Sequence, residues 1–346
     1  MLHSRTATVA AAMFGAFFVF APSAGRADEA SLYAAAKAEG EVVWYTTLIF
    51  DTAVRPLIAA FEQKYPGVEV KFSRADSVPT ALKILAEGRA GKPQADVFDG
   101  TETAAPLIRA GLVDKYIPPN ADAYPPQVKD PNGYWYAFMF YFLTPAINTK
   151  LIPKDQAPKT AQDLLDPKWH GKIAWNMSSS TGAMAFVSGI MMMMGEEKGT
   201  AYLEQLAKQN IINVDITARA MVDKVGAGEY PMALAIFNHH TIMAAAKGAP
   251  VDWLKLDPIV ASLAMTGVVN GAPHPNAARL FVDFMLSEDT QKLLADLDFL
   301  PTLPSVPAKV PTLKPEAGGY TPIYLTQDVV TKNFDHWRKT YEDLFQ

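Results

Sequence analysis

Two rhythms alternate along the first third of the chain. Residues 42–46 (Val-Val-Trp-Tyr-Thr) form a β-branched and aromatic run, the pattern of a buried strand. Across residues 54–65 the spacing becomes helical, with Leu57, Ile58, Phe61 and Tyr65 on one face, and Pro66-Gly67 stops the helix. Residues 68–72 alternate as a second strand. A helix over 79–88, a strand over 95–98 and a helix over 103–110, ended at Gly111, complete the series. Strand and helix exchanging at this pace predict an α/β domain with a mostly parallel sheet. Ligands in such sheets bind at the carboxyl ends of the strands. That directs attention to Thr46-Thr47, to the loop carrying Arg74, and to residues 99–102, where Thr101 and Glu102 lie.

The pattern changes over 117–131, which is proline-rich and irregular. Residues 134–147 are then a long aromatic strand-like run, suited to crossing from one lobe to another. Tyr136, Phe138, Phe140, Tyr141 and Phe142 alternate along it, and Tyr141 is placed to line a cleft and stack on a ring-bearing ligand. A second α/β set runs from 159 to about 256. Residues 259–269 read as a returning strand, and 276–286 with 290–297 complete the first lobe. Two crossings imply two discontinuous lobes, each a mostly parallel sheet flanked by helices, with a cleft between them. Lobe 1 is expected over 28–137 plus about 262–312, and lobe 2 over about 138–261. Residues 313–346 are not assigned to either.

The first 27 residues have the anatomy of a secretory signal peptide. Arg5 gives a positive start, 9–20 are apolar, and Gly25 and Ala27 stand at −3 and −1 before Asp28. The run is short of the roughly 20 apolar residues that a spanning helix needs. Pro145, Asn148 and Lys150 interrupt the most apolar later stretch, 134–151. The chain has no cysteine, which excludes disulfides, thiolate metal sites and a lipid-bearing N-terminal cysteine. A soluble periplasmic protein is the expectation. The net charge is −5, and cleavage removes two arginines and no acid, so nucleic acid is not an expected partner.

The most informative segment is 163–186. It reads as a turn at Asp166-Pro167, a short strand over 172–175 and a serine-rich loop running into an apolar helix. Ser178, Ser179, Ser180 and Thr181 fall at or before that helix's N-terminus. Hydroxyls there cap free N–H groups, and the same N–H groups and dipole can hold an anion. On this segment alone a plain cap with spare serines is the favoured reading, and the rest of the chain shifts the balance. Met191 to Met194 point around a helix and read as core.

Several stretches together resemble the extracellular solute-binding proteins of ABC importers, specifically the ferric-ion-binding-like group. They are Gly40-Glu41-Val42-Val43-Trp44-Tyr45, Ala95-Asp96-Val97-Phe98, the run from Leu164 to Ile173, Gly226-Ala227-Gly228-Glu229, and the run from Ala272 to Phe281 closing on Leu286-Ser287. The resemblance covers nearly the whole mature chain. It implies a two-lobed, hinge-closing binding protein without catalysis, monomeric, delivering its ligand to an inner-membrane permease. Ferric members carry an adjacent tyrosine pair after a strand in the second lobe. Here that place reads Leu234-Ala235-Ile236-Phe237-Asn238-His239-His240, with histidines at the paired positions. The histidine that ferric members place after the first strand is missing from Thr46–Phe50, and the carboxylate after the Asp-Val-Phe strand survives as Glu102 with shifted spacing. Fe(III) prefers phenolate and carboxylate oxygen, whereas imidazole suits other metals.

Ferric members also hold an anion on a serine-rich helix N-terminus, matched here by 178–182. The resulting expectation is a small organic anion of phosphate, phosphonate or carboxylate type, with no cofactor. It would be bound by Thr46, Thr47, Arg74 and Thr101 from the first lobe, by Tyr141 at the lobe junction, and by Ser178 to Thr181, Arg219, Asn238 and His239 from the second lobe. Read as a strand, Asn238 to His240 would send adjacent side chains to opposite faces, so one histidine would reach a ligand. The alternative is a metal ion held by His239, His240 and Glu102. A chemosensory receptor fits the same fold. A secreted hydrolase lacks support, because the chain shows no G-x-S-x-G, H-E-x-x-H, Walker or dinucleotide-binding motif.

Overall fold

Among the described residues eleven strands form one sheet: β1 Glu41–Thr46, β2 Glu69–Arg74, β3 Val97–Gly100, β4 Tyr136–Asn148, β5 Ile173–Asn176, β6 Ile212–Val214, β7 Met232–Phe237, β8 Val251–Trp253, β9 Val260–Val268, β10 Leu300–Pro301 and β11 Ile323–Tyr324. The computed structural model describes residues 29–177, 182–325 and 327–346. The main order is β2-β1-β3-β9-β4-β7-β5-β6, with β8 and β10 on β4 and β11 on β9. Pairing is parallel in both wings, β2-β1-β3 and β7-β5-β6. The joints β3-β9, β9-β4 and β4-β7 are antiparallel.

β4 and β9 thus stitch two parallel wings into one ladder. Twelve of the 13 residues of β4 are buried, which explains its unbroken apolar run: both faces are covered. The aromatics of 136–142 do not split into one wet and one dry face, and only Tyr141 is partly open. The first part of β4 pairs with β9 from Tyr136↔Thr266 to Leu143↔Val260. The later part pairs with β7, and the register shifts between Thr144 and Ala146. Pro145 sits at that shift, since a residue without N–H cannot donate to the ladder.

The expected elements of the first third are present with small shifts. The helix expected over 54–65 spans Arg55–Lys64, entered through a π-helical turn at Phe50–Val54. The helix expected over 79–88 begins two residues earlier, as Ser77–Arg89. One core gathers Trp44, Phe61, Phe281 and Phe284 beneath β1 and β3, with Trp44 and Phe61 each 5.1 Å from the Phe281 ring. A second gathers Trp175, Phe186 and Leu203. The C-terminal helix Gln327–Phe345 closes the second core: Phe345 meets Trp175 edge-on at 4.7 Å, with Tyr341 at 6.0 Å. Among the described residues no helix is long and apolar enough to cross a membrane. The helix Ala183–Met194 buries Met191 but leaves Met192 and Met193 more than a third exposed, so the methionine run is only partly core.

One buried carboxylate gives the fold a pH dependence. Asp283, on the helix Pro275–Met285, accepts a hydrogen bond from Tyr116 Oη at 2.8 Å, while its Oδ1 is buried without a partner. Burial pushes its pKa up to about 7, against the opposing pull of the Tyr116 hydrogen bond. A carboxyl whose pKa is raised by folding contributes stability that is complete below the unfolded value of about 4 and is lost as pH rises through the folded one. Asp283→Asn keeps an acceptor for Tyr116 and removes the titration. Its urea midpoint is therefore expected to gain on the parent between pH 4.5 and pH 8. A pH-independent difference would refute the assignment.

Candidate functional site

The carboxyl ends of β1, β2 and β3 open on one side of a cleft of about 790 Å³, and the segment after β6 and the end of β7 form the other side. At the first side, β1 ends at Thr46, opposite Arg74 of β2. Thr47 turns back onto Asp99 of β3, donating to Oδ1 from its backbone N (2.8 Å) and its Oγ1 (2.7 Å). Asp99 is fully buried, and its Oδ2 has no hydrogen-bond partner. Burial raises its pKa, opposed by bonds from Thr46 and Thr47.

Gly100 follows Asp99 at φ +141°, where a side chain is strained. A Cβ there would lie 2.2 Å from Thr103 Oγ1 and 2.8 Å from Ser77 Oγ. That close approach lets Thr101 N donate to Ser77 Oγ (3.2 Å) and Thr103 Oγ1 donate to the Asp99 carbonyl (3.0 Å). Ser77 is the first residue of the helix Ser77–Arg89. Its N-cap, Asp76, makes no side-chain capping bond and instead pairs with Arg74 Nη2 at 3.2 Å. The first N–H groups of this helix therefore meet the cleft without a side-chain cap.

On the opposite side a helix also starts at the cleft, but this one is capped. The helix Ala218–Ala227 starts at the cleft, with Thr217 Oγ1 accepting from Ala220 N at 3.2 Å as its N-cap. Arg219 in its first turn pairs with Asp223 at 2.8 Å and keeps about a quarter of its side chain exposed. Asp215 lies just ahead. Between the two sides, Tyr141 of β4 stacks on Phe237 of β7, with centroids 4.6 Å apart and planes 24° apart, and both rings line the cleft.

The structure brings Thr47, Arg74, Thr101, Tyr141 and Arg219 to this cleft, together with Glu102 and His240. Three expected residues point elsewhere. Thr46 is fully buried, and its Oγ1 accepts from Leu48 N. Asn238 is buried and donates to the Leu313 carbonyl at 3.0 Å. His239 packs at 5.8 Å from Phe299, in a narrow gap with Ile242, Val310 and Leu313. The physical reason is local: β7 ends at Phe237 and a helix, Asn238–Ala246, begins at once. Successive side chains there turn by about 100° rather than flipping face to face, and that rotation presents His240 instead of His239. Ser178, Ser179, Ser180 and Thr181 lie outside the described residues; the helix after them, Ala183–Met194, has Gly182 at its N-cap.

The histidine rings are 4.4 Å apart. Burial, then the neighbouring Arg219, lowers the pKa of His240 to about 3. Burial, then His240 and Arg219, holds His239 well below the usual imidazole range. Both are neutral at physiological pH. Among the described residues no three His, Cys, Asp or Glu side chains converge as metal ligands. Ser77, Asp215, Thr217 and Phe237 were not expected at the site. Thr217 carries a readable signal, a hydroxyl two residues ahead of Arg219 where a helix begins.

Comparisons with known proteins bear on the family and the fold. A family model described as bacterial extracellular solute-binding protein matches residues 92–321. A protein of Salmonella paratyphi A, provisionally named a 2-aminoethylphosphonate-binding periplasmic protein, is 25% identical over 68% of this chain and 70% of its own. The Fe(3+)-binding periplasmic protein of Serratia marcescens is 24% identical over 75% of this chain and 78% of its own. The crystal structure of iron-bound HitA from Pseudomonas aeruginosa superposes with a TM-score of 0.74 at 28% identity, covering 88% of this chain and 99% of that one.

Proposed function

Since the chain belongs to the bacterial extracellular solute-binding proteins, we propose that it captures a small organic anion of phosphate, phosphonate or carboxylate type for an ABC importer. The observation that carries this reading is the pairing of like features across one cleft. Arg74 and the uncapped start of the helix Ser77–Arg89 face in from one side; Arg219 and the start of the helix Ala218–Ala227 face in from the other. Guanidinium forks and helix N-termini both favour anionic oxygen. Hydroxyls of Ser77 and Thr101 line the same side and suit the same oxygens, whereas the Thr47 hydroxyl is committed to Asp99.

The two sides act as lobes, residues 28–137 with about 262–312 and residues about 138–261, and the ligand closes one upon the other. A ligand shifts such an equilibrium only by its differential affinity, so contacts from both sides are what favour closure. The closed monomer is then the form that the inner-membrane permease receives, in the periplasm.

A second reading, a metal ion as cargo, is favoured by one observation: His240 and Glu102 line this same cleft, and His240 is a neutral imidazole. Thermal unfolding against two panels separates the readings. At a hundred times its dissociation constant a ligand adds about 2.7 kcal/mol. Organic phosphates, phosphonates or carboxylates are expected to raise the midpoint without added metal. Stabilisation by ferric or divalent ions alone would replace the anion reading with the metal one.

A further inference from the structure

The positive charge of this cleft is already partly neutralised, whereas its apolar surface lies open. Each guanidinium has a carboxylate neighbour, Asp76 at 3.2 Å from Arg74 and Asp223 at 2.8 Å from Arg219. The two helix starts are also limited as donors. Pro79 has no N–H to offer in the first turn of Ser77–Arg89, and Thr217 Oγ1 already takes the N–H of Ala220 in Ala218–Ala227. A doubly charged group would give up more hydration here than such arginines return. A carboxylate puts one charge on two oxygens, which matches the fork of a guanidinium.

The rest of the cleft suits an apolar body. At about 790 Å³ it has the size that encloses a whole organic ligand, well beyond a lone acidic group. Ile49 and Val78 line the first side with 43% and 46% of their surface exposed, beside Pro79, and Ile216 lines the second. Between them stand the rings of Tyr141 and Phe237, stacked at 4.6 Å. His240 lines the same cleft at 7% exposure, with its Nδ1 buried without a partner, and meets Phe237 edge-on at 5.2 Å as a neutral ring. Apolar side chains thus border the cleft from both sides and from the wall between. Those as open as Ile49 and Val78 gain from burial only when something in the cleft covers them. A hydroxyl-rich body would instead leave its hydroxyls unpaired against these walls.

We propose that the ligand is an aromatic monocarboxylate: its one acidic group lies on the guanidinium side chains that line the cleft, and its flat apolar body lies between Ile49, Val78 and Ile216 against the rings of Tyr141 and Phe237. This rests on the anion reading above and narrows it to a singly charged head on a ring. The ring supplies through burial and stacking what the weakened positive charge does not.

The test is calorimetric titration with three probes: acetate, phenylacetate, and phenylphosphonate at alkaline pH, where it is doubly charged. Phenylacetate is expected to bind about tenfold tighter than acetate or better, with a more negative heat-capacity change, the marker of apolar burial. It is also expected to bind tighter than phenylphosphonate. In the double variant Ile49→Ser with Val78→Ser the ratio of phenylacetate to acetate is expected to fall to about threefold or less. Both side chains are largely exposed, so the unliganded variant should keep the parent's urea midpoint. Equal binding of acetate and phenylacetate, a ratio untouched by the double variant, or tighter binding of phenylphosphonate overturns the aromatic monocarboxylate while leaving the anion reading intact. If none of these anions binds, the proposal falls, and if metal ions alone then stabilise the protein, the anion reading falls with it.

Discussion

Gly100→Ala is expected to destabilise the protein by about 2–6 kcal/mol and to abolish high-affinity binding. The backbone at φ +141° belongs to a region that costs a side chain about 1–3 kcal/mol. The new methyl would also press on Thr103 Oγ1, Ser77 Oγ and Thr47 Cγ2, at 2.2, 2.8 and 3.0 Å, and crowding of this kind costs about 1–3 kcal/mol. These three side chains belong to the cleft's own network: Thr103 bonds the Asp99 carbonyl, Ser77 holds Thr101 N, and Thr47 bonds Asp99 Oδ1. Relief by rotation of Thr103 or Ser77 sacrifices those bonds, so stability and site geometry are lost together. Urea unfolding and titration of the same sample measure both. An unchanged midpoint with unchanged affinity would show that the loop after β3 is not held as described.

Arg219→Ala is expected to weaken anion binding about ten- to a hundredfold, the worth of a hydrogen bond to a charged group at about 1.5–3 kcal/mol. The stability of the unliganded protein should change little. The pair with Asp223 is an i,i+4 surface pair, with the carboxylate mostly exposed, of a kind worth about 0.3–0.5 kcal/mol. Arg219→Lys should recover only part of the affinity, because an ammonium cannot match a bidentate fork. Titration with the tightest organic anion found in the thermal panel measures the effect. Affinity that survives Arg219→Ala within about twofold would remove the second side of the cleft from the proposed anion site.

The wings of the sheet were legible because their elements obey simple periods. The face of Leu57, Phe61 and Tyr65 is buried as the helical spacing requires, and β1, β2 and β3 end where the loops of interest begin. The cleft lining was legible where a residue ends or directly follows a strand: Arg74 ends β2, Thr47 and Thr101 follow β1 and β3, and the rule that parallel sheets open clefts at their carboxyl ends points to all three. It was not legible at Asn238–His240. An apolar strand runs into Phe237-Asn238-His239-His240 with Asn238 as the single turn-type residue, and one Asn does not say whether a helix starts there or the strand continues. The choice of His240 over His239 depends on that boundary alone. Asp215 and Phe237 could not be assigned either, since charge and aromaticity in a loop do not say which loop lies opposite.

The shared ladder of β4 and β9 has a consequence for the modularity of the chain. Domains ordinarily part at exposed linkers, where few contacts cross and a half can be excised, swapped or expressed alone. Here the passage between the two cores is a buried central strand with partners on both of its edges. A cut anywhere within Tyr136–Asn148 would leave each half with an unpaired strand edge where a neighbour had been, an aggregation hazard more than a domain. Exchange of one half of this chain for a foreign one is therefore expected to fail, whereas substitutions around the cleft leave the shared ladder whole.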